Sequence, residues 1–105
     1  MLAEDKKRTA HKSLVARVLE GDGRASQVLR RAAFDNTGLA APLSTLINKV
    51  AKHAYKVTDE DIIAAGASGL NEDQVFELVV CAAIGQSTRQ YKIALAALDA
   101  VTDKE

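Results

Sequence analysis

The chain reads as an all-α protein, a single-domain bundle of five to six helices. Three observations lead there. No window alternates apolar and polar residues with period 2, the mark of a half-buried strand. Apolar residues instead recur at helical spacing between recognisable helix starts and stops. The composition is rich in Ala and poor in aromatics, with two Phe, two Tyr and no Trp. Such a core suits closely packed helices, because Ala is the least costly residue to place in one. At 105 residues, one domain with one modest core is expected.

The elements follow in order. Residues 1–12 are polar, carry charges of both signs, and read as an N-terminal arm, frayed or loosely helical; residues 13–105 read as one helical domain. Leu14, Val15, Val18 and Leu19 form a narrow apolar stripe over Ser13–Glu20, and Gly21-Asp22-Gly23 supplies the stop. That Gly-Asp-Gly reads as a turn, since no phosphate-loop pattern surrounds it. Ser26 is placed to cap a second helix with Val28, Leu29, Ala32 and Ala33 on its apolar side, stopped by Asn36-Thr37-Gly38. Pro42 suits the first turn of a third helix. There Leu43, Leu46, Ile47, Val50, Ala51 and Ala54 trace one face.

Thr58 and Asp61 have the spacing of a capping box, and Asp59, Glu60 and Asp61 suit the positive end of a short fourth helix that Gly66 and Gly69 close. Asn71 and Gln74 open the fifth in a similar way. From Val75 to Ile84 that helix is apolar on nearly every side, so a central, buried position is expected. Gly85 interrupts, and Tyr91, Ala94, Leu95, Leu98 and Val101 resume one apolar face. A kink or break is expected near Gly85–Thr88, one long bent helix being the alternative.

Charge and composition exclude several functions. Acidic and basic residues balance at 14 each. The basic clusters Lys6-Lys7-Arg8 and Arg30-Arg31 are too short for the basic face that phosphate binding needs, so no nucleic-acid partner is expected. The longest apolar run, Leu78–Gly85, is far short of a membrane span, and no secretory leader is visible, so the reading is cytoplasmic with no membrane partner. The single cysteine, Cys81, allows no intramolecular disulfide. His11, His53 and Cys81 are too scattered for a metal motif; no metal and no cofactor are expected.

The segment Ala67-Ser68-Gly69-Leu70-Asn71-Glu72-Asp73-Gln74-Val75 lies between a capped helix and an apolar one, with an Arg-containing amphipathic helix beyond. It resembles the corresponding turn of the alkyl hydroperoxidase D-like superfamily, which includes the carboxymuconolactone decarboxylases. The likeness covers about Leu43–Leu98 and implies a helical fold and oligomerisation. The family's reactive residues are absent. Aligning the turns puts its Cys-x-x-Cys on Ala54-Tyr55-Lys56-Val57 and its His near Asp61, and Pro42–Lys52 holds no acid where peroxidase-type members carry a Glu. A dithiol cycle needs an attacking and a resolving thiol, and an ordinary carboxylate titrates too low to replace the His.

The reading is therefore a non-redox member of that superfamily, acting as an oligomeric binding or interaction module, with room for a small-molecule ligand. One alternative is a decarboxylase-like proton-transfer enzyme using a pocket near His53, Tyr55 and Asp61. A more remote one is a peroxidase-like protein using Cys81. For the first three residues the plainer reading is favoured: His53 covers a helix end and Tyr55 packs with its hydroxyl outward. Cys81 reads as a small buried apolar residue. His11 lies in the polar arm without a partner near it in sequence, and Arg89 and Lys92 read as a solvated face with Tyr91 in the core.

Overall fold

A computed structural model of the chain describes the backbone of residues 3–103 and the side chains of residues 6–102. Among the described residues it is helical throughout, with no strand. Five α-helices follow one another: α1 (Ala3–Glu20), α2 (Gln27–Asp35), α3 (Leu43–His53), α4 (Asp59–Gly66) and α5 (Glu72–Asp103), with a 3₁₀ turn at Ala54–Lys56 between α3 and α4. Most of the segment read as an arm is thus the first half of α1.

The local signals work as their chemistry requires. Ser26 accepts the Leu29 N–H and starts α2. Asn36 ends it in the left-handed conformation at φ 52°, a position Asn tolerates better than most residues. Thr58 and Asp61 form both halves of the capping box. Asn71 and Gln74 exchange side-chain bonds with each other's N–H at 2.8 and 2.9 Å. Gly69, at φ 93°, reverses the chain between α4 and α5.

α5 is the organising element. α2 and α3 pack along its first half, α4 touches its start, and α1 leans on both α2 and α5. The core where they meet is aliphatic: Leu46, Ile47, Leu78 and Cys81 are its largest fully enclosed side chains, joined by Ala33, Ala65, Ala82 and Val75.

Two expectations about α5 are corrected. It does not break at Gly85–Thr88 but runs unbroken for 32 residues. Gly85 is a packing glycine: a Cβ there would lie 2.7 Å from the Phe34 carbonyl carbon and closer still to its oxygen. The Ser87 and Thr88 hydroxyls donate to the Ala83 and Ile84 carbonyls one turn back, which the helix accommodates without losing its ladder. Nor is α5 buried on every side. Phe76 is 67% exposed, and Ile93, Leu98 and Val101 are more than half exposed, because none of the described helices packs over them. Tyr91, expected in the core, is half-buried against α1.

Candidate functional site

The residues with the clearest chemical promise in sequence are not assembled into a pocket. The rings of His53, at the end of α3, and Tyr55, on the 3₁₀ turn, stand edge to face, 6.0 Å between centroids, and both are exposed. Asp61 is already engaged. Its carboxylate accepts both Lys49 Nζ, at 2.9 and 3.0 Å, and the Thr58 N–H. The Lys49 hydrogen bond, followed by the Thr58 one, holds it below the usual carboxylate range. A carboxylate held ionised in this way is a poor proton donor near neutral pH. None of the five cavities on the molecule's surface described here is lined by His53, Tyr55 or Asp61.

Cys81 is enclosed between α5 and the end of α1, its Sγ 3.8 Å from the Val18 carbonyl. Burial pushes its thiol up to about 11, the nearby Arg30 charge only partly offsetting this. It therefore stays a thiol at neutral pH, and the thiolate is the reactive form. Beside it, Arg30 is 6% exposed and donates from Nη1 to the Gly21 and Val18 carbonyls, closing the open end of α1. Glu77 holds the same junction from α5, accepting the Arg24 and Ala25 N–H groups at 2.6–2.8 Å. Burial alone would raise the Glu77 carboxyl. The two N–H donors and the Arg30 and Arg24 charges outweigh that and leave it lowered. This cluster reads as a clamp on the α1–α2 connection.

The most extensive chemical pattern lies on the outer side of α5. Stepping 3.6 residues per turn, the buried residues Leu78, Cys81, Ala82 and Gly85 share one side. On the opposite side stand Phe76, Val80, Ala83, Ser87, Gln90, Ala94, Ala97 and Val101, at alternating steps of four and three residues. That is the spacing of a coiled-coil seam. All are exposed except Val80, which is half-buried. Glu72 and Asp73 stand in the first turn, before the seam begins; past them the charged residues Glu77, Arg89, Lys92 and Asp99 all fall in the other half of the wheel. A solvated helix face would carry charges, and this one carries none over about 38 Å of helix.

The alternation was present in the sequence but could not be picked out there, because α5 is apolar on both sides and only the packing of α2 and α3 shows which side is left over. Sequence reasoning also missed His11. Folded, its Nε2 lies 2.9 Å from Thr88 Oγ1, 77 residues away in the chain, and its ring is 5.1 Å from that of Tyr91.

Comparison of the chain with protein-family models, with curated proteins and with solved structures found no match in any of the three. Among the described residues no helix is long and apolar enough to cross a membrane, and no three His, Cys, Asp or Glu side chains stand together as a metal site would require.

Proposed function

We propose that the protein is a non-redox helical interaction module, of the alkyl hydroperoxidase D-like type, that works as a self-associated assembly. The uncharged seam from Phe76 to Val101 carries this reading. A second copy is the occupant that suits it. A face without charges needs no complementary sign across the interface, so the same surface can serve both partners in a two-fold pair. Its small residues, Ala83, Ser87, Ala94 and Ala97, permit close helix approach.

An antiparallel pair fits best. The seam is centred between Ser87 and Gln90, so the pair would bring these polar residues together at the axis and set each Phe76 near a partner Val101. The far half of each α5, flanked in its own chain by α1, would then lie against the α4 end of the other. The projected area is about 400 Å² per copy, a strip ~38 Å long and one helix wide. The exposed Ile62 and Ile63 of α4 extend the apolar surface beyond Phe76, bringing a pair toward the ~1,000 Å² at which specific interfaces begin.

Light scattering on a sizing column tests this. The chain, 11.2 kDa as a monomer, should elute with a multiple of that mass, and Ala94→Lys, which alters an exposed position, should reduce it to the monomer while leaving helical content unchanged. A wild-type monomer at about 0.1 mM, a concentration far above the Kd of a stable homodimer, would overturn the reading.

A further inference from the structure

Two clefts between α1 and α5 meet at His11. One, of about 370 Å³, extends toward Tyr91 and Leu95; the other, of about 360 Å³, extends past Val15 and Phe34. His11, Lys12 and Lys92 line both. The size is that of a small-molecule site, and so is the character, a largely apolar wall with a few polar groups converging at one place.

The hydrogen bonds assign the protons at that place. Thr88 is 5% exposed, and its one hydroxyl proton goes to the Ile84 carbonyl at 2.7 Å. Toward His11 its oxygen can then act only as an acceptor, so the His11 Nε2 carries a hydrogen and donates it. This anchors the ring by its Nε2 edge at the junction of the two clefts. Tyr91 packs on the ring at 38° between planes. Around the two clefts stand Arg8, Lys12, Lys92 and Arg31, against Glu20 and Asp99. Arg31 is also paired with Asp35 at 3.0 Å. The basic excess centres on the junction, where Lys12 and Lys92 approach from opposite helices, while the two acids lie one in each cleft.

We propose that this junction binds an amphipathic carboxylate, an aliphatic or aromatic acid whose charged end sits between Lys12 and Lys92 beside His11. Its apolar body lies along Tyr91 and Leu95 or along Val15 and Phe34. Thr88, Lys92 and Leu95 lie on the side of α5 away from the seam, and Tyr91 borders it; the site is built within one chain and does not require a second copy.

Decanoate is a suitable probe, with decanol as its uncharged counterpart. Calorimetric titration should show saturable binding of decanoate, with decanol at least about tenfold weaker, the worth of one good charge-assisted contact. In a ¹⁵N-labelled sample the amides of Val15, Thr88, Tyr91 and Leu95 should shift. The pair Lys12→Gln and Lys92→Gln, both exposed in the free protein, should weaken decanoate about tenfold with helical content unchanged and leave decanol as it was. Equal affinity for decanol and decanoate, shifts confined to Phe76, Ala83 and Ala94, or no saturable decanoate binding up to about 1 mM would each overturn the proposal.

Discussion

Gly85 of α5 lies directly beneath the Phe34 carbonyl at the end of α2, and Arg89, one turn on, donates from Nη1 to that same oxygen at 2.7 Å. The absent side chain and the guanidinium act together. The glycine lets the α2 backbone approach, and the arginine satisfies a carbonyl that the helix end leaves open. Arg89 is itself oriented by Gln86 Oε1, which accepts from both Nε and Nη2.

Gly85→Ala should therefore destabilise the protein, although Ala is favoured over Gly in a helix by about 1 kcal/mol. The methyl would collide with backbone, which cannot rotate aside, and overpacking of this kind costs about 1–3 kcal/mol or more. Since the clash is with backbone and the cost falls at the upper end of that range, chemical denaturation should show a net loss of about 1–2 kcal/mol. A gain in stability would mean that α2 does not approach α5 as described.

Glu77 should make stability depend on acid. Its folded carboxyl is lowered, as is that of Asp61. A group lowered on folding contributes stability that is present above its unfolded pKa and is lost as pH falls through the folded value. Unfolding free energy should thus decline from about pH 5 downward, the unfolded glutamate titrating near ~4.3. In Glu77→Gln the decline should be shallower. At neutral pH the variant should be less stable by about 1.5–3 kcal/mol, the range for hydrogen bonds to a charged group. An unchanged pH profile in the variant would show that Glu77 does not clamp the α1–α2 connection.

Cys81 should be slow toward a disulfide reagent in the native state. With the thiol at about 11, the thiolate fraction at pH 8 is roughly a hundredfold below that of a free cysteine near ~8.5. The enclosed position slows it further. Denaturant should restore a rapid, full reaction. Rapid labelling of the folded protein would reopen a redox reading.

The junction of α3 with the 3₁₀ turn, where His53 and Tyr55 stand, offers a contrast. Both side chains are exposed, so His53→Ala and Tyr55→Phe should each change stability by less than about 0.5 kcal/mol. Thr58→Ala, three residues beyond Tyr55, removes the hydroxyl half of the capping box and should cost about 1 kcal/mol. Thermal melts of the three variants side by side would separate a solvent-facing turn from a packed one.

Much of the local structure was legible because its causes are local. The Ser26 cap, the Asn36 stop, the Thr58–Asp61 box and the Asn71–Gln74 exchange each join residues no more than five apart, and the helices sit where these signals place them. The helical class follows from the same periodicity. Gly85 shows the limit of such reasoning. Glycine inside a helical pattern signals an interruption when only neighbours in sequence are considered. Its actual role depends on Phe34, 51 residues away, and no local pattern encodes that approach.

The sequence by itself determined the helical class, the capped starts of α2, α4 and α5, and that α5 would be apolar on nearly every side. Tertiary structure alone decided which side of α5 the chain does cover. Apolar residues on two sides of one helix compete equally for a core, and the packing of α2 and α3 on one of them leaves the Phe76–Val101 seam outside. It likewise decided the fate of the isolated polar residues. Asp61 was drawn into an ion pair with Lys49, while His11, unremarkable in its own helix, met Thr88 and Tyr91 because α1 folds back along α5. Hydrogen bonds and ring contacts between residues so far apart form only where the packing of whole helices brings them within a few ångströms.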